Sequence, residues 1–174
     1  MLYAQPQYIA DMVTLIARLD VEQVHWVGTS MGGLIGMLLA AQKETPVARL
    51  VLNEAGPVIA NVALERIAMY FGKVPPMPSF EAAVQLVRMV SAPFGPHTDA
   101  EWRFLTEVVV RKNADGSYRM HYDPRIAESF RAQITGQDIE LWPAYDAVRC
   151  PTLVIRGAQS DLLLKDTAAA MTGR

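Results

Sequence analysis

Between Gly28 and Gly32 the sequence reads Gly-Thr-Ser-Met-Gly, a spacing that can present Ser30 as a nucleophile. Val24-His25-Trp26-Val27, a short apolar run, precedes it, and a stretch rich in Leu, Met and Ala follows to Gln42. Strand, sharp turn and helix in that order is the setting in which such a serine becomes reactive. Its backbone is held in a strained conformation and its hydroxyl projects above the carboxyl edge of the sheet. Side chains two residues to either side would collide, which Gly28 and Gly32 avoid. Gly33 and Gly36 let the helix lie close to the sheet. The helix N-terminus offers unpaired N–H groups, and that of Met31 can face an oxyanion as it develops. The bland alternative is a glycine-rich structural turn with no chemistry.

The elements that would hold this turn are legible on both sides. Ile9, Met12, Val13, Ile16 and Leu19 recur at helical spacing and predict an amphipathic helix over 9–19. Val24–Val27 and Val47–Leu52 predict buried parallel strands, with Thr45-Pro46 breaking the helix between them. After Gly56-Pro57 the strand-like runs stop. Helices are expected over 63–72, over 79–90 behind Ser79 as N-cap, and after Thr98, whose spacing to Glu101 forms a capping box. Asn113–Gly116 reads as a turn and 118–122 as a short extended piece. Asp123-Pro124 predicts a helix start running to Gln133, and 139–147 a further short helix. Strand character returns at Pro151–Ile155, ending in Gly157, with a last helix from about Lys165. The expected organisation is a sheet segment over 1–60, a helical cap over 61–148 and a second sheet segment over 149–174.

On these residues the chain resembles the α/β-hydrolase fold family, in its esterase, lactonase and carbon–carbon hydrolase branch. Gly28–Gly33 looks like the family's nucleophile elbow and Leu50–Pro57 like the strand after it. Residues 61–148 resemble the helical cap, and Cys150–Gly157 the next core strand. The resemblance implies a parallel sheet with helices on both faces, an inserted cap, and nucleophile, acid and histidine in that chain order. Asp161 is the candidate acid that would orient the histidine and stabilise imidazolium. The usual spacing from the glycine is one residue shorter and lands on Ser160, so Glu54, after the preceding strand, stands as the alternative acid. None of the three histidines falls where the family places its own. His25 lies on the strand leading into the elbow, and His97 and His121 fall in the cap region. The family's early strands and the later strand bearing its histidine have no counterpart, so the chain is expected to be a fragment, inactive by itself.

Composition narrows the partners. The 174 residues are 51% hydrophobic and 20% charged, with a formal net charge of −2 and a pI of about 5.9. No basic run suggests nucleic acid or an anionic membrane, and no segment is apolar for long enough to span one. Cys150 is the single cysteine, so an internal disulfide is excluded and a buried structural thiol is expected. A cytoplasmic setting fits. No phosphate-binding glycine loop, dinucleotide fingerprint or metal-ligand cluster is present in the sequence, and no cofactor is expected.

The expected activity is hydrolysis of an ester or related acyl bond in a small apolar substrate, with lactone or carbon–carbon bond hydrolysis on the same elbow as the alternative. A non-catalytic, truncated binding protein is the competing class. Met69, Phe71, Met89, Phe94, Trp102, Phe104 and Trp142 could line an apolar chamber, although most are expected to pack inside the cap. Three parallel strands with unpaired edges also predict oligomers formed through those edges.

Overall fold

The computed structural model describes residues 3–174. In chain order its elements are α1 (Gln5–Arg18), β1 (Val24–Thr29), α2 (Met31–Ala40), β2 (Val47–Asn53), β3 (Val58–Ile59), α3 (Asn61–Ala68), α4 (Phe80–Val90) and α5 (Asp99–Val109). They continue with β4 (Val110–Lys112), β5 (Tyr118–Met120), α6 (Ile126–Arg131), β6 (Ile139–Glu140), α7 (Trp142–Ala147), β7 (Thr152–Ile155) and α8 (Lys165–Met171). Two compact units divide the chain. One holds the described residues through Ile67 together with Ser129–Arg174, and the other holds Ala68–Glu128. The second unit is shorter than the 61–148 cap expected from the sequence, because most of α3 and the β6–α7 segment make their contacts in the first.

In the first unit three parallel strands lie in the order β1-β2-β7. Their register sets Trp26 beside Leu50 beside Thr152, and Gly28 beside Leu52 beside Val154. Residues in register share a face, and this face is the covered one. Ile16 of α1, Ile35, Met37 and Leu39 of α2, and Met171 of α8 form one cluster with Leu50 and Leu52, and Trp142 and Tyr145 of α7 pack against it. Leu52 and Met37 are fully buried, each a gain of about 1.5–3 kcal/mol over exposure. Cys150 is half-buried against the same cluster.

The alternate residues build the opposite face, with Val27, Val51 and Leu153 in one row and Thr29, Asn53 and Ile155 in the next. Val27 is 74% exposed and Leu153 58%, so this face is open. Helices on both faces were expected. Within the described residues α1, α2, α7 and α8 each pack apolar side chains into the cluster on the covered face.

β3 and β6 pair antiparallel, Val58 with Glu140 and Ile59 with Ile139. This corrects the helix expected from 139. The chain first adds a two-residue strand, the Leu141 N–H donates to Pro57 O at 2.6 Å, and the helix begins only at Trp142. The helix expected from Asp123 begins instead at Ile126, because the Asp123 carboxylate accepts from the Arg125 N–H and holds a turn there.

The second unit packs α4 and α5 together with the β4–β5 hairpin. Met77, Ala83 and Val110 form one small cluster, and Val84, Val87 and Trp102 another. Ser79 caps α4 by accepting from the Ala82 N–H at 3.1 Å, and Thr98 and Glu101 close both halves of the capping box on α5. Internal packing of the insertion's large apolar residues holds for Trp102, which is buried, and for Phe71, whose ring lies 5.1 Å from that of Tyr122. It fails for Met69, Met89, Phe94 and Phe104, which are exposed because these short helices bury only a narrow stripe. Trp142 packs in the first unit, against Tyr145.

Candidate active site

The carboxyl ends of β1 and β2 bring Ser30 and Glu54 side by side. Thr29 pairs with Asn53 in register, so the next residue on each strand leaves the sheet at the same edge. The Asn53 side chain donates to Thr29 Oγ at 3.0 Å and the Ser30 N–H donates to Asn53 O at 2.9 Å, which locks the two ends together.

Ser30 adopts φ 52° and ψ −120°, a conformation that L residues rarely take. Strain of this kind persists only where the surroundings enforce it, and it concentrates at functional sites. Here the enforcement is visible. A Cβ on Gly28 would lie 2.2 Å from Gly32 O, and one on Gly33 would lie 2.5 Å from the Ala55 Cβ. Gly36 faces the Trp26 indole at 2.3 Å by the same measure, so α2 lies directly on β1. The Trp26 Nε1–H donates to Gly32 O at 2.9 Å, fastening the helix start to the strand. The collision expected at Gly32 is absent: a Cβ there meets nothing within 4 Å, and the crowding falls on Gly28 and Gly33 instead. Ser30 does not spend its hydroxyl as a helix cap, and its side chain is exposed. Met31 is the first helical residue, so its N–H has no acceptor within the helix.

Glu54 also has positive φ, 51°, and its N–H donates to Ile155 O at 2.9 Å. Its carboxylate accepts from the Gly157 N–H through one oxygen and from the Ser160 hydroxyl through the other. Ser160 Oγ in turn accepts from the Leu163 N–H at 3.1 Å. Arg156 ties this loop to itself, donating to Leu163 O at 2.7 Å, Ser160 O at 3.1 Å and Ala158 O at 3.2 Å. Both donors to Glu54 therefore sit on a loop whose carbonyls are gathered by one guanidinium. Sequence reasoning missed Arg156, Gly157 and Ser160 as parts of the site. Their one signal was the acid spacing that landed on Ser160.

Ser30 and Glu54 line one small, shallow pocket of about 30 Å³, open to solvent, with Leu34, Ala55, Gly56, Val58, Ile59 and Leu162. Its wall is mostly apolar. Asp161 is not among the lining residues. It forms a two-pronged ion pair with Arg66 of α3, at 2.6 and 2.9 Å, with its side chain half exposed. No histidine lines the pocket. His25 lies on the open face of the sheet beside Arg49. His97 belongs to the second unit, where its Nδ1 lies 2.9 Å from Gly95 O and its ring packs on Trp102. His121 lies in the same unit, exposed after β5. Among the described residues no group of three or more His, Cys, Asp or Glu could hold a metal ion, and no helix is long and apolar enough to cross a membrane.

Comparison with known proteins agrees with this architecture. A family model for the alpha/beta hydrolase fold matches residues 2–173. A 3-hydroxybutyrate-oligomer hydrolase from Cupriavidus necator is 46% identical over 179 residues, covering 99% of this chain and 61% of that protein. The crystal structure of an alpha/beta hydrolase from Novosphingobium aromaticivorans superposes with a TM-score of 0.87 at 32% identity, covering 99% of this chain and 61% of that one. E-2-(acetamidomethylene)succinate hydrolase, at 22% identity, shares the fold with a TM-score of 0.83 over 99% of this chain and 62% of its own. The chain thus spans about three fifths of the length of these relatives. With its strained strand–serine–helix turn and its parallel sheet, the chain belongs to the alpha/beta hydrolase fold family.

Proposed function

We propose that this chain carries the nucleophile and the acid of a serine hydrolase acting on a carboxylic ester, with Ser30 and Glu54 in those roles. The observation that carries the reading is their shared pocket: a serine in a strained turn beside a carboxylate fixed by two donors. In the proposed cycle a histidine removes the Ser30 proton as Oγ attacks the ester carbonyl. The Met31 N–H receives the oxyanion. The histidine then protonates the departing alkoxide, and water, activated by the same group, releases the acid and restores the hydroxyl. Glu54 orients that histidine through oxygen lone pairs its two donors leave free. That histidine is not among the residues that line the pocket. Asp161 serves as the partner of Arg66 rather than as the acid.

The substrate class is proposed from the 46% identical relative: short esters of a small hydroxy acid, such as 3-hydroxybutyrate oligomers. A shallow, mostly apolar wall built from Leu34, Val58, Ile59 and Leu162 suits a short acyl group. A chimera tests this reading, with this chain replacing the segment it matches in the Cupriavidus necator hydrolase. The folded chimera is expected to release 3-hydroxybutyrate from the dimer, and Ser30→Ala to abolish release. Undiminished release by the Ser30→Ala chimera would overturn the assignment.

A further inference from the structure

We propose that the outer face of the β4–β5 hairpin is an oxyanion-binding surface, with Arg111 and Arg119 as a paired clamp for a carboxylate or phosphate group. The two arginines are direct cross-strand partners, so both guanidinium groups leave the hairpin on the same side. The pairs on either side, Val110 with Met120 and Lys112 with Tyr118, face the other way, and Val110, Tyr118 and Met120 belong to the small core there. His121 follows two residues after Arg119. Its N–H donates to Val109 O at 2.8 Å, which extends the ladder and brings a third basic group to the outer face. Arg111, Arg119 and His121 are all exposed.

Like charges directly opposite each other weaken a strand pair, and the rest of this unit avoids the problem. Arg88, Arg103 and Arg125 each pair with a carboxylate, Asp99, Glu81 and Asp123, at 2.6 to 3.3 Å. Arg111 and Arg119 take part in none of the ion pairs among the described residues. Each instead donates through one terminal nitrogen to a neighbouring backbone carbonyl, at 3.1 Å to Val110 O and 3.4 Å to Met120 O. The remaining N–H groups of two planar forks stay open to solvent. Guanidinium forks match the paired oxygens of carboxylates and phosphates, and an oxyanion between them relieves the repulsion that the pair otherwise carries. Two forks on one strand pair suit a small ligand bearing one or two such groups. This inference concerns the second unit alone and does not depend on the roles proposed for Ser30 and Glu54.

Calorimetric titration of the 174-residue chain tests it, with inorganic phosphate and succinate as probes and chloride at matched ionic strength as control. Saturable binding of at least one probe is expected in the millimolar range, weakened tenfold or more by Arg119→Gln and unchanged by Lys73→Gln. Arg119→Lys keeps the charge and loses the fork, and is expected to weaken binding to an intermediate degree. Binding of phosphate alone assigns a phosphate ligand, and binding of succinate alone a carboxylate. Heats that match chloride for both probes overturn the proposal. So does an Arg119→Gln or Arg119→Lys chain that binds as the parent does.

Discussion

Glu54 follows β2 and Asp161 lies in the loop after β7, and the structure treats them differently. Glu54 enters the pocket beside Ser30 and is held by a backbone N–H and a hydroxyl. Asp161 faces the surface, where one guanidinium engages both of its oxygens. A carboxylate that must orient a histidine needs a fixed direction and an open lone pair. Neutral donors, one to each oxygen, supply the first and leave the second. A two-pronged arginine occupies the edge that a histidine would use. On the proposed roles, the donors around a carboxylate, more than its place after a strand, distinguish an acid from a latch.

The largest expected difference is kinetic. In the active chimera Glu54→Gln is predicted to lower kcat by on the order of 10³–10⁴, the loss typical when a triad carboxylate becomes an amide. Asp161→Asn is predicted to change kcat less than about threefold, as the proposed role of a half-exposed partner of Arg66 requires. Steady-state rates on the 3-hydroxybutyrate dimer check both. Inverted losses would exchange the two roles.

Ser160→Ala is the next test, because it removes one of the two donors to Glu54 and leaves the carboxylate in place. A hydrogen bond to a charged group contributes about 1.5–3 kcal/mol, so a loss of roughly ten- to a hundredfold in kcat is expected, with partial rescue by Ser160→Thr. No loss would show that the Gly157 N–H alone fixes Glu54.

The latch itself is predicted to contribute little to stability. Arg66 and Asp161 expose 37% and 50% of their side chains, and water screens such pairs to about 0–1 kcal/mol. A double-mutant cycle with Arg66→Met and Asp161→Asn, read by urea unfolding, checks that range.

The smallest effect concerns Glu101, which has the same kinds of donor as Glu54 but sits at a helix cap with no nucleophile. The Thr98 N–H, then the Thr98 hydroxyl, and to a lesser extent His97 hold its carboxyl below the ordinary range. Its folded pKa lies below its unfolded one. Its stabilising contribution is therefore present above the usual glutamate value of about 4.3 and fades as pH falls through the lowered folded value. Thr98→Ala keeps the backbone N–H and removes the hydroxyl, so it is expected to reduce that part of the acid sensitivity without abolishing it, as read by thermal unfolding across the acid range.

Much of this was legible in the sequence where long patterns spoke. The elbow glycines, the apolar runs of β1, β2 and β7 and the Thr98–Glu101 box each act over a few neighbouring residues, and each formed where expected. What escaped depends on partners far along the chain. The β3–β6 pairing is two residues long, too short for any periodicity to mark, and is fixed by Pro57 O meeting the Leu141 N–H. Crowding expected at Gly32 falls on Gly33, because Ala55, on another strand's exit, presses on it. The hydrogen bond from Ser160 to Glu54 was not legible because spacing counts residues, whereas Ser160 reaches Glu54 across 106 positions. The apolar strands read as buried on both faces, yet Val27 and Leu153 stand open.

The most direct test of the Ser30–Glu54 assignment is mass spectrometry of the chimera after brief exposure to a fluorophosphonate. The account predicts phosphonylation of the peptide bearing Ser30, equally fast with Asp161→Asn and slowed at least a hundredfold with Glu54→Gln. Label on another residue, or a rate that falls with Asp161→Asn and not with Glu54→Gln, would contradict it.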